Sequence, residues 1–217
     1  MKTRRPMLSY FSGLDLGRNG EFTALAVVER AQPAGSFEPE CLSYAVRHLE
    51  RFPPGTPYPD VFARLSELFA RPPLAGSHMV ADQTAVGRPV VEALRRSKVR
   101  ATVSAVTVTA GHAAGRDERG GWLVPKVELV GTLQVLLQSS RLKFAEAMPE
   151  AATLVRELGS FRANLAAKPD EVSWRERDHD DLVLALAVAA WQGERHGPAS
   201  TGAPSVFQPR GWLPWER

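Results

Sequence analysis

Arg177-Asp-His-Asp-Asp-Leu-Val-Leu-Ala-Leu-Ala-Val-Ala-Ala-Trp191 sets acids and a histidine directly against ten uninterrupted apolar residues. Leu182 to Trp191 is too short to span a bilayer and apolar on every side, which predicts a helix buried all round and therefore central to its domain. Asp180 and Asp181 then stand at the mouth of a core helix. There a short acid can cap free backbone N–H groups and is favoured by the positive end of the helix dipole. The alternative is that the pair belongs to a site, because two other acids, Asp15 and Asp82, also close apolar strands.

At 217 residues and 44% hydrophobic, the chain has material for one good-sized core. A basic leader is expected over 1–10, the folded domain over 11–193 and a Pro- and Gly-rich tail over 194–217. The single cysteine, Cys41, excludes an intramolecular disulfide and a cysteine-built zinc site, and is expected in core or strand. No apolar run has signal-peptide or membrane length, so a soluble, cytoplasmic protein without membrane partners is expected. Net charge is only +3, but residues 86–145 carry ten Lys and Arg against four acids, and residues 146–196 carry six against ten. Separated basic and acidic surfaces suit a protein that holds a phosphate backbone beside metal-binding carboxylates.

Along the chain, Phe11-Ser-Gly-Leu-Asp-Leu-Gly17 predicts a first strand, Phe22 to Val28 its hairpin partner, and Cys41 to Phe52 a third strand. Prolines bound a helix carrying Val61, Leu65, Leu68 and Phe69; His78-Met-Val-Ala-Asp82 is a short buried strand; Pro89 opens a second helix and Ala101 to Thr109 is a fifth strand. Gly111 to Gly121 reads as a polar loop. Val127, Val130, Leu133, Gln134, Leu137 and Leu142 predict an amphipathic helix from Lys126, and Ala147 to Ala163 another. The expected class is α/β, with antiparallel hairpins followed by parallel strands and active groups at the carboxyl ends of strands.

An unpaired carboxylate among apolar strands costs several kcal/mol, so each acid needs a partner, a proton or a cation. Magnesium or manganese takes oxygen ligands and keeps positions for water and phosphate. Two such ions, about 3.5–4 Å apart, would activate a water and stabilise the leaving oxygen of an in-line displacement. Each residue also has a structural alternative: Asp15 as a satisfied strand end, Asp82 as a loop cap before the Pro89 helix, Lys126 as a solvated helix start. His179 either opens the helix or passes a proton to a leaving group. Arg95, Arg96, Lys98 and Arg100, with Lys126, are candidate contacts to a nucleic-acid backbone.

Together the motifs Gly13-Leu-Asp-Leu-Gly17, Val80-Ala-Asp-Gln-Thr-Ala-Val-Gly87, Val106-Thr-Val-Thr109, Val124-Pro-Lys-Val-Glu-Leu129 and His179-Asp-Asp-Leu-Val-Leu-Ala-Leu-Ala187 resemble the nuclease domain of bacteriophage terminase large subunits, in the ribonuclease-H-like superfamily. The resemblance runs in order from about residue 11 to 192. It implies a central five-stranded mixed sheet flanked by helices, and two Mg²⁺ or Mn²⁺ ions held by Asp15, Asp82 and one or both of Asp180 and Asp181. It implies a double-stranded DNA substrate and cleavage to a 3′-hydroxyl and a 5′-phosphate. Two features depart from it. No Gly-Lys dipeptide occurs, so the phosphate-cradling loop of a packaging motor is absent, and the family's glycine pair after the fifth strand is Ala110-Gly111. The expectation is therefore a metal-dependent endonuclease that works with a separate packaging ATPase, small terminase or portal protein. A junction resolvase of the same superfamily and a non-catalytic DNA-binding or assembly module are the alternatives. An actin-like or sugar-kinase ATPase is disfavoured, because Arg18-Asn19 stands where its first phosphate loop needs Ser, Thr or Gly.

Overall fold

The computed structural model describes residues 5–18, 20–36, 38–111, 113–165 and 180–197. Strand β1 (Met7–Asp15) pairs antiparallel with β2 (Thr23–Gln32), and β2 with β3 (Ser43–Phe52). Helix α1 (Tyr58–Leu68) leads to β4 (His78–Asp82), which lies parallel to β1 on its other side, and α2 (Arg88–Arg96) leads to β5 (Thr102–Thr109), parallel to β4. These strands form the expected mixed sheet in the order β3-β2-β1-β4-β5. The sheet is nevertheless eight strands wide rather than five: β6 (Gly115–Arg116) and β7 (Trp122–Pro125) extend it beyond β5, and β8 (Leu142–Lys143) flanks β3. Strands of two to four residues are too short to show alternation in sequence.

Helices α3 (Lys126–Gln138), α4 (Ala151–Leu165) and α5 (Asp181–Arg195) complete the fold. α3, α4 and α5 pack on one face of the sheet with Phe11, Val80 and Val106, while α1 and α2 cover the other with Leu14, Met79 and Ala81. Leu142, expected on the third helix, lies in β8 because the helix stops at Gln138 and Ser140 turns the chain with φ 56°. Val127, expected on that helix's apolar stripe, is 56% exposed; the buried residues are Leu129, Val130, Leu133 and Leu136. Cys41 is exposed in a 3₁₀ turn over Pro39–Cys41, neither core nor strand. β1 begins at Met7 and α5 runs to Arg195, while residues 198–217 and the charged stretch 168–178 lie outside the described residues.

The helix predicted from Leu182 to Trp191 is buried as its composition dictates: Leu182, Val183 and Ala185 to Ala187 have no exposed surface. It runs antiparallel to β1, and its contact there is backbone on backbone. A Cβ built on Gly13 would lie 1.9 Å from the Ala185 carbonyl oxygen and 2.9 Å from the Ala189 amide nitrogen. Only glycine permits this approach. At the helix C-terminus the buried Arg30 guanidinium donates Nη1–H to the Gly193 carbonyl at 2.8 Å and Nη2–H to the Gly197 carbonyl at 3.3 Å. A cation there satisfies free carbonyls and complements the helix dipole. Among the described residues no helix is long and apolar enough to cross a membrane.

Gly13→Ala should cost about 3 kcal/mol or more, because neither backbone can yield without unseating α5. Gly131→Ala, in α3 with open space at its Cβ, should instead stabilise by about 0.5–1 kcal/mol. Urea unfolding of both variants checks the pair, and equal effects would contradict the contact.

Candidate functional site

Parallel pairing sets Asp15 opposite Asp82 at the ends of β1 and β4. Antiparallel pairing sets Ala24 beside Asp15 and Arg51 beside Ala24, so Asp82, Asp15, Ala24 and Arg51 form one row across four strands. Gly13 and Asp15 are two residues apart and share the face that meets α5, as strand alternation requires. The first turn of α5 therefore stands over the row and brings Asp180 and Asp181 to it.

The chain around each acid is fixed locally. After Asp15, the Gly17 amide donates to Thr23 Oγ1 at 3.1 Å and the Tyr58 hydroxyl to the Gly17 carbonyl at 2.8 Å. Asp82 Oδ1 accepts from the Thr84 amide at 2.8 Å and from the Thr84 hydroxyl, closing the turn that follows β4. The loop-cap alternative for Asp82 thus accounts for one of its oxygens. No described residue donates a hydrogen bond to Asp82 Oδ2 or to the Asp15 carboxylate.

Burial, and then the charges of Asp82, Asp181, Asp180 and Glu21, push the Asp15 carboxyl well above the usual carboxylate range. Burial also raises Asp82, against the opposing pull of Thr84 and of the Lys126 ammonium. The other three predicted acids therefore all act on Asp15 at one end of the sheet. Lys126, the first residue of α3, is there too: its Nζ lies 2.8 Å from Asp180 Oδ2. Arg51 Nη2 lies 3.3 Å from Asp181 Oδ2, and its guanidinium stacks 3.7 Å from the Phe22 ring centroid. With Asp180 and Asp181 turned to these cations, no three His, Cys, Asp or Glu side chains among the described residues stand as a ready cage for one ion. The donor set does fit a hard divalent cation, since every oxygen is a carboxylate's and Asp15 faces like charge without a hydrogen-bond donor.

The cap expected of Asp180 is absent: its side chain makes no capping bond. Glu157 of α4 replaces it, with Oε2 accepting from the Leu182 and Val183 amides at 2.9 and 3.1 Å. Glu157 is 5% exposed, its Oε1 has no hydrogen-bond partner among the described residues, and burial together with the Asp181 charge pushes its carboxyl up to about 7. Neither Glu157 nor Arg51 was a sequence candidate. The signals were an acid three residues beyond Leu154 on a helix's apolar stripe and an arginine in phase with Leu49 on a half-buried strand. Arg95, Arg96, Lys98 and Arg100 are not brought to the acids. α2 runs back from the Asp82 end, so they lie toward the start of β5, where Arg95 Nε donates to the Val103 carbonyl. His179 lies outside the described residues.

Compared with solved structures, the chain is similar to the large terminase nuclease of thermophilic phage G20c, with a TM-score of 0.51 at 20% identity over 85% of this chain and 82% of that one. It has the fold of a large terminase nuclease. The nuclease domain of the bacteriophage SPP1 g2p large terminase, solved with bound Mn, shares this fold at a TM-score of 0.47 and 12% identity, covering 83% of this chain and 84% of that one. Thermus thermophilus RuvC follows at 0.40 and 16% identity, covering 87% and 94%. No protein-family model and no curated relative matches the sequence.

The folded state holds the Glu157 proton to about pH 7, while an unfolded glutamate releases it near 4.5. Folded protein thus binds more protons across that window, and this group's contribution is full below it and lost as pH rises through about 7. Glu157→Gln keeps an acceptor for both amides without the charge. In EDTA, its Tm relative to wild type should therefore improve from pH 5 to pH 8; a constant difference would contradict the assignment.

Proposed function

We propose that the protein is a divalent-metal-dependent DNA endonuclease. The observation that carries the reading is the convergence of Asp15, Asp82, Asp180 and Asp181, from three distant stretches of chain, on one end of the sheet. Glu157, rather than the Asp180 side chain, caps the helix N-terminus. Asp15 and Asp82 would hold Mg²⁺ or Mn²⁺, joined by Asp181, whose charge acts on Asp15 more strongly than that of Asp180. Bound there, two ions would supply an activated water and charge stabilisation at the leaving oxygen of a phosphodiester.

The residues themselves perform the rest. Asp15 and Asp82 are fixed by strand register, so their geometry is set before any ligand arrives. Arg51 and Lys126 pair with Asp181 and Asp180, and Lys126 would meet a phosphate bound at the acids. His179 belongs to this proposal as a proton carrier to the leaving oxygen. Arg95, Arg96, Lys98 and Arg100, toward the start of β5, would contact backbone flanking the cut rather than the scissile phosphate. The motor that moves DNA lies outside this sequence, which has no Gly-Lys phosphate loop; a packaging ATPase, small terminase or portal would deliver the substrate, in the cytoplasm of a host cell.

A plasmid-nicking assay with Mg²⁺ or Mn²⁺ tests the reading. Wild type should nick, EDTA should abolish nicking, and Asp15→Asn, Asp82→Asn and Asp181→Asn should each lower the rate more than about a hundredfold, beyond what loss of a ligand's supporting partner costs. Cleavage surviving in Asp15→Asn would overturn it. A preference for four-way junctions over linear duplex would point to resolvase work, and no cleavage with any divalent ion to an assembly module.

A further inference from the structure

A cleft of about 490 Å³ opens beside β5, on the stretch that no neighbouring strand covers. β7 pairs with β5 only from Val106 onward, opposite Trp122, so Val103 to Ala105 present their outer edge to the cleft. Arg88 and Arg95 line it from α2, Arg116 and Arg119 from the β6–β7 hairpin, and Arg195 from the end of α5; among the described residues no carboxylate lines it. Three of these arginines have acid partners set back from the cleft: Asp117 at 3.6 Å from Arg88, Glu92 at 2.7 Å from Arg95 and Glu128 at 3.4 Å from Arg195. No described carboxylate is within ion-pair distance of Arg116 or Arg119.

We propose that this cleft binds the sugar–phosphate backbone of the nucleic-acid strand leading away from the acids. The inference rests on the endonuclease reading for its choice of ligand. Guanidinium groups present planar forks that match phosphate oxygens. Trp122 is not a platform for a base, because its ring already carries the Arg116 guanidinium at 3.8 Å and that of Arg195 at 4.7 Å, with the Trp191 ring edge-on at 5.4 Å. Stacked this way, two of the forks are held in place, and the cleft recognises charge rather than sequence. Its distance from the acids is also suitable. Asp82, Val106 and Trp122 lie in one row, and strands about 4.8 Å apart place Trp122 about 10 Å from Asp82. Phosphates a few nucleotides from the one at Asp15 and Asp82 reach it.

Anisotropy of the full chain with a fluorescein-labelled 30-base-pair duplex, titrated in EDTA over a range of salt, tests the assignment. Arg116→Ala/Arg119→Ala should weaken binding by about tenfold or more and reduce the slope of log affinity against log salt by about two. Arg71→Ala/Lys143→Ala, which removes two exposed cations elsewhere, should leave the slope within about half a unit. Arg119→Ala alone, whose side chain makes no described hydrogen bond, should show half the slope change and separates binding from folding. Unchanged affinity and slope in the Arg116/Arg119 variant overturn the proposal, as does loss of binding to a labelled polyglutamate peptide with DNA affinity intact. Nicking by the same proteins distinguishes the two readings. Arginine-independent DNA binding with nicking that Asp15→Asn abolishes removes the cleft and keeps the nuclease, whereas arginine-dependent binding without nicking removes the nuclease and keeps the cleft.

Discussion

The backbone of α5 pressed against Gly13 is the contact on which the remaining arrangement depends. Helix and strand run in opposite directions from it. Two residues along the strand cover about 6.6 Å and end at Asp15; four residues back along the helix cover about 6 Å and end at Asp181. The acids come level because the two elements touch backbone to backbone at Gly13 and Ala185. A side chain between them would lift the helix and its first turn from the row of strand ends. The small residues Ala185, Ala187, Ala189 and Ala190 in α5 follow from the same closeness.

At the acid end the protein supplies its own counter-charges. Four carboxylates at one edge of a sheet repel one another, and Lys126 and Arg51 answer two of them. Asp15 and Asp82 are left facing each other across adjacent strands, with burial favouring the neutral form of both and the Asp82 charge adding to it at Asp15. This asymmetry sorts the acids into a pair on strand ends and a pair on a helix turn. The first is set by main-chain register, the second by side-chain partners.

Much of this was legible in the sequence because the information was local. Ten apolar residues in a row could only be a buried helix, and Phe11 to Gly17, His78 to Asp82 and Ala101 to Thr109 carried enough β character to reveal strands. Asp15, Asp82 and the aspartate pair stood out because each interrupts an apolar run. What escaped was decided by neighbours far along the chain. Glu157 caps a helix that begins 24 residues later, and Arg51 meets Asp181 across 130 positions. The two-residue strands depend on partners rather than on their own residues, and Leu142 left its helix for β8 because Tyr44 and Ala45 offered an edge. Asp180 and Asp181 could not be separated without knowing which residue the first helical turn points at Asp15.

Glu157 and Arg30 hold α5 at its two ends, a negative group at the positive pole and a positive group at the negative one. Helix termini are ordinarily where a domain loosens first. Here the fraying motions are closed off by side chains from α4 and β2, and most of the helix between them is buried. Asp181 therefore separates from β1 only when the core itself opens, so the acid-bearing end of the molecule and its hydrophobic interior melt as one cooperative unit.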